Sequence, residues 1–151
     1  MRVNRNHFGR QAESFQAPLN LPFLGTSDAK NTPFNAVFIR APVVEKLLPL
    51  REGIQADEQG EGSVIAPSRH HNLAPEEMQV EVLATLPGRA ARLANKGIEI
   101  ATDKEAGDIV AVRQGNVFGT SFHPELTQDA RIHSWWLDQV QDAVRRRRTQ
   151  Q

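Results

Sequence analysis

Residues 109–125 read IVAVRQGNVFGTSFHPE, and the fold is decided by how this stretch is read. Two runs rich in β-branched and aromatic residues, IVAVR at 109–113 and VFGTSF at 117–122, flank Gln114-Gly115-Asn116. That pattern predicts a hairpin closed by a glycine-containing turn. The second strand runs straight into His123-Pro124-Glu125. In extended backbone, residues two apart project to the same side, so imidazole and carboxylate can be presented together. Pro124 fixes its own φ and biases His123 toward the extended region. A carboxylate that accepts from one imidazole nitrogen sets the tautomer, leaving the other nitrogen to take a proton from a nucleophile. The tripeptide therefore has the chemistry of a base and its orienter, and the same spelling also fits a surface histidine at a turn.

Working outward, AVFI at residues 36–39, ended by Arg40 and Pro42, predicts a strand buried on both faces. VEVLATL at 80–86 predicts another strand. On the C-terminal side, Ile132, Trp135, Trp136, Val140 and Val144 fall near helical spacing behind Asp129, predicting an amphipathic helix capped by that aspartate. Between the first two strands, residues 50–76 follow no hydrophobic period and carry a net charge of −3 over 51–61, Arg51 against Glu52, Asp57, Glu58 and Glu61. This stretch is expected to be a polar, disordered insertion outside the core.

The 151 residues are the size of one domain, and 18 Lys plus Arg against 18 Asp plus Glu leave a net charge of zero. A global electrostatic attraction to nucleic acid or to an anionic membrane is excluded. No apolar run approaches the roughly 20 residues of a membrane span, so a cytoplasmic protein is expected. With no cysteine in the chain, disulfides, thiolate metal sites and a cysteine nucleophile from within these residues are excluded. His70-His71 lacks the further spaced ligands of a zinc site, and neither metal nor cofactor is expected. The arginines at 145–148 suit a solvated helix C-terminus.

Two further segments have site chemistry. Arg5, in RNHFGRQ at 5–11, offers a planar fork suited to a carboxylate, with Gly9 permitting a tight turn; a solvated terminus is the plainer reading. Arg40 follows the predicted strand at 36–39, where an open α/β sheet binds its ligands, although a salt-bridged strand end also accounts for it.

Taken together, RNHFGRQAESF at 5–15, VFIRAP at 37–42 and AVRQGNVFGTSFHPELTQDARIHSWWL at 111–137 resemble the glutaminase subunit of pyridoxal 5′-phosphate synthase, the SNO or PdxT family of class I glutamine amidotransferases. The resemblance covers Met1 to about Arg40 and about Asn95 to Val144. It implies an α/β fold of flavodoxin-like type, with a mixed sheet and a closing C-terminal helix, of which residues 1–151 would be the C-terminal portion. It also implies that His123 is the base of a catalytic triad, that Glu125 orients it, and that Arg5, Ile39 and Arg40 contact bound L-glutamine. The implied reaction converts L-glutamine to L-glutamate and ammonia, which passes to a barrel-shaped synthase subunit that makes pyridoxal 5′-phosphate.

Members of the family carry a glycine-rich oxyanion loop and a Gly-x-Cys-Ala-Gly elbow upstream of the matching segments; these 151 residues contain neither. No Gly-x-Ser-x-Gly replaces the elbow, and Ser121 is expected to pack or hydrogen-bond. The chain alone is therefore expected to be inactive. The alternative is an interaction or regulatory module without catalysis, binding the synthase subunit or an intact glutaminase.

Overall fold

The computed structural model describes residues 1–4, 14–25, 32–48, 63–65, 79–95 and 105–149. The expected hairpin is present: β7 (Ile109–Gln114) pairs antiparallel with β8 (Val117–Thr120), Gln114 opposite Val117. Gly115, at the first of the two loop positions, has φ +55°, which a residue without Cβ adopts freely. On the other side of β7 lies β6 (Glu81–Thr85), again antiparallel, within the strand expected at 80–86. Ile109, Val110, Ala111 and Val112 are all buried because β7 is the central strand of this sheet and contributes to two apolar clusters.

The strand expected at 36–39 begins earlier and is differently buried. As β3 (Phe34–Ile39) it pairs along its whole length with β2 (Ser14–Leu19), Ser14 opposite Ile39 and Leu19 opposite Phe34. Phe34, Ala36 and Phe38 are buried whereas Ile39 is 37% exposed. One face meets the core and the other does not, so the strand alternates instead of running continuously buried. A third sheet has β1 (Arg2–Asn4) between β4 (Val43–Lys46) and β5 (Ser63–Ile65). All five described ladders are antiparallel.

Strand β5 corrects the reading of residues 50–76 as insertion throughout: Ser63, Val64 and Ile65 pair with Asn4, Val3 and Arg2. The three residues take their order from β1, a partner some 60 positions away that local composition does not disclose. The rest of 50–76, including His70 and His71, lies outside the described residues.

Among the described residues two α-helices complete the α/β architecture, α1 (Arg89–Asn95) and α2 (Arg131–Thr149). Asp129 Oδ1 accepts from the Arg131 amide at 3.1 Å, at the expected helix start. The apolar face of α2 meets the core over its first turns only. Ile132 is buried and Trp135 packs on the core, but Val140 and Val144 are exposed. Among the described residues no helix is long and apolar enough to cross a membrane.

The main core joins the β2–β3 pair to the β6–β7–β8 sheet through Phe34, Phe38 and Phe122. The Phe122 ring centroid lies 5.8 Å from that of Phe34 and 5.7 Å from that of Phe38. Phe122 immediately precedes His123, so packing of the core also fixes the start of the His-Pro-Glu turn.

Candidate active site

The chain leaves β8 under tight control. The Ser121 amide donates to the Val110 carbonyl at 2.9 Å and the His123 amide to the Val37 carbonyl at 2.8 Å. The Thr120 hydroxyl donates to the Phe122 carbonyl at 2.8 Å. His123 therefore hangs from β3 by its backbone, which brings it beside Ile39 and Arg40 although they lie more than 80 positions earlier.

His123 is extended (φ −104°, ψ 90°), but the next residues are not: Pro124–Leu126 is a single 3-10 turn with proline in its first position. The shared orientation of His123 and Glu125 therefore comes from the turn and not from the alternation of a strand. The Thr127 hydroxyl closes it with a 2.9 Å bond to the Pro124 carbonyl. Glu125 Oε1 lies 2.8 Å from His123 Nδ1, and His123 Nε2 lies 3.3 Å from the Ile39 carbonyl oxygen.

Both ring nitrogens thus face oxygen acceptors. The Glu125 hydrogen bond raises the His123 pKa above its ordinary 6.5; partial desolvation opposes it, and the Ile39 carbonyl adds a smaller upward push. The same contact with His123 holds Glu125 below its ordinary range. The side chains are 40% and 58% exposed, so solvent screens the pair and reactants can reach it.

Of the other residues singled out from sequence, Ile39 ends β3 beside His123, and Arg40, which follows it, is exposed with φ +45°. It is the one non-glycine residue of positive φ among those described. Arg5 lies outside the described residues. A cavity of about 500 Å³ between Pro18, Leu19, Pro22 and strand β6 is lined by none of these site residues. Among the described residues no cluster of three His, Asp or Glu is arranged to hold a metal ion.

Arg89 is a contributor to this region that the sequence reading missed. Its guanidinium reaches the Ala41 and Pro42 carbonyls and the Ser121 hydroxyl, giving that serine the expected hydrogen-bonding role. A local signal existed: Pro87-Gly88 is a turn dipeptide, and the Arg-Ala-Ala-Arg-Leu-Ala that follows is made of helix formers.

The sequence profile of the SNO glutamine amidotransferase family matches residues 1–83 and 78–142. The chain belongs to this family. Relatives include the pyridoxal 5′-phosphate synthase subunit PdxT of Salinispora arenicola, 38% identical over 144 residues, which cover 95% of this chain and 48% of the relative. The PdxT subunit of Nocardia farcinica is 39% identical over 143 residues, covering 95% and 42%. That of Moorella thermoacetica is 34% identical over 139 residues, covering 92% and 46%. A solved structure described as a glutamine amidotransferase is 35% identical, with a TM-score of 0.46, and the match covers 90% of this chain and 43% of that one. The chain thus spans just under half the length of the curated relatives it matches.

Proposed function

We propose that this chain carries the acid–base half of a glutaminase site, with His123 as the base and Glu125 as its orienter. The nucleophile is a cysteine outside these 151 residues. The complete site hydrolyses L-glutamine to L-glutamate and ammonia, and the ammonia feeds pyridoxal 5′-phosphate synthesis. The observation that carries the reading is the 2.8 Å contact between His123 Nδ1 and Glu125 Oε1 in a member of this family.

Two acceptors around one imidazole favour the doubly protonated ring, and an imidazolium suits a thiolate partner. The thiolate attacks the amide carbon of glutamine, and the Nε2 proton of His123 passes to the leaving nitrogen. Ammonia departs and a thioester remains. His123, now neutral, takes a proton from water as the water oxygen attacks the thioester. Glutamate leaves and the thiolate–imidazolium pair is restored, so that glutamine and water have become glutamate and ammonia. Nε2 exchanges its long bond to the Ile39 carbonyl for the substrate during this cycle. Arg5, Ile39 and Arg40 bind the glutamine. That the relatives are subunits of pyridoxal 5′-phosphate synthase supports a synthase subunit as partner, which we take to be barrel-shaped and to receive the ammonia. The reaction is cytoplasmic and requires neither cofactor nor metal from this chain.

A chimera tests the reading: the segment of the Salinispora arenicola relative that matches this chain is replaced by this chain, so that the remainder of the relative supplies the cysteine. With the synthase subunit present, the chimera releases ammonia from glutamine. His123→Ala lowers the rate about a thousandfold. Equal rates with and without His123 would remove it from the chemistry. The 151-residue chain by itself releases none above a blank, because it contains no cysteine. That composition also favours, for the chain alone, a second role as a non-catalytic module that binds the synthase subunit or an intact glutaminase.

A further inference from the structure

Arg89, the first residue of α1, is 2% exposed, the most deeply buried charged side chain among the described residues. Its Nη2 donates to the carbonyl oxygens of Ala41 at 3.3 Å and Pro42 at 3.0 Å, and its Nη1 to Ser121 Oγ at 3.4 Å. Its Cζ lies 5.6 Å from the centroid of the Phe38 ring. Burying a guanidinium is costly, and here burial pulls its pKa down to about 10. The partners bracket the candidate site. Ala41 and Pro42 follow Ile39 and Arg40, while Ser121 stands two residues before His123.

Between these anchors Arg40 adopts a left-handed conformation, which a residue with a Cβ takes only when its surroundings impose it. One side of that turn is held by the ring of His123 on the Ile39 carbonyl, the other by Arg89 on the next two carbonyls. Arg89 is itself set in place by Asp108, whose Oδ2 accepts from the Gly88 amide at 3.0 Å and whose Oδ1 accepts from the Ala90 amide at 2.8 Å.

We propose that Arg89 is a positioning residue: its guanidinium clamps the Arg40 turn to the end of the hairpin and so keeps the Ile39 carbonyl in front of His123. That the clamp serves acid–base chemistry rests on the glutaminase reading; the clamp itself does not. Among the described residues, the groups that face the His123–Glu125 pair are the Ile39 carbonyl from β3 and His133 from α2, which acts on Glu125. Removing the Arg89 cation alone raises the His123 titration midpoint, because one positive charge is lost. Releasing the Ile39 carbonyl lowers it. The two effects have opposite signs, so a fall reports the clamp.

The test is an NMR titration of the His123 ring in the 151-residue chain, with circular dichroism to verify folding. Arg89→Met lowers the midpoint by about half a pH unit. Arg89→Lys, which restores the charge and a donor, recovers part of that fall. The Ile39 and Arg40 amide resonances move in both variants while those of α2 stay. Ser121→Ala removes one acceptor of the Arg89 guanidinium without changing any charge, giving a smaller fall of the same sign. It decides the matter if the Arg89 variants do not fold. An unchanged or raised midpoint in the folded variants overturns the proposal. The titration contains no glutamine, so it fails or succeeds independently of the chimera assay.

Discussion

Glu125 Oε1 sits 2.8 Å from His123 Nδ1 although both side chains stand largely in solvent, and the contact moves the two ionisations in opposite directions. His123 is raised, so its contribution to stability is complete below its ordinary 6.5 and is lost as pH climbs through the folded value. Glu125 is lowered, so its contribution is complete above its ordinary 4.5 and is lost as pH falls through the folded value. The pair therefore stabilises most between those ordinary values. Glu125→Gln is expected to bring the His123 midpoint down toward 6.5. Thermal melts should show a larger gap between wild type and Glu125→Gln at pH 5.5 than at pH 8.5. A gap that grows with pH would contradict the assignment.

Phe38 connects the core to the site through several contacts. It is fully buried, stacks on Phe15 with centroids 4.5 Å apart, packs against Phe122 and lies under Arg89. Phe38→Ala should cost about 3 to 5 kcal/mol in urea unfolding, the usual range for an aromatic lost from a core. Phe38→Leu should cost markedly less. Equal costs would mean that ring shape and the packing around it contribute little.

The parts of this fold legible in the sequence are those whose determinants are local. The β7–β8 hairpin was readable because strand pattern and turn chemistry point the same way over residues 109–122. The proximity of His123 to Glu125 was readable as well, although a 3-10 turn produces it. What stayed hidden depends on distant partners. Ser63–Ile65 became a strand only because β1 offers an edge, and Arg89 reaches carbonyls 47 and 48 positions away. Helix periodicity predicted α2 but not where its cover ends, since Val140 and Val144 obey the period and are still exposed.

Asp108 performs the work of a helix cap from a distance. Its two carboxylate oxygens satisfy the amides of Gly88 and Ala90, which the first turn of α1 leaves without helical acceptors. Asp108→Ala should therefore destabilise by about 1 to 2 kcal/mol, the scale of a lost N-cap. Amide exchange at residues 89–92 should accelerate more than exchange in β7. Uniform acceleration across both elements would indicate a global loss with no particular bearing on α1.

Arg40 separates stability from proposed function at a single position. An ordinary side chain held at φ +45° costs on the order of 1 kcal/mol relative to a residue that tolerates left-handed backbone. Glycine returns that strain but adds chain entropy to the unfolded state, about 0.5 to 1 kcal/mol, so Arg40→Gly should come out near neutral. Asparagine tolerates the conformation without the entropic penalty, so Arg40→Asn should be at least as stable as wild type. Arg40→Val, branched at Cβ, should lose more than about 1 kcal/mol. The side chain is exposed, so these differences report the backbone and not a lost contact in the core. In the chimera, all three variants should raise KM for glutamine irrespective of their stability, since each lacks the guanidinium assigned to the pocket. Urea unfolding that ranks arginine above both asparagine and glycine would show that the turn is not strained. A KM that follows stability across the series would remove Arg40 from the glutamine site.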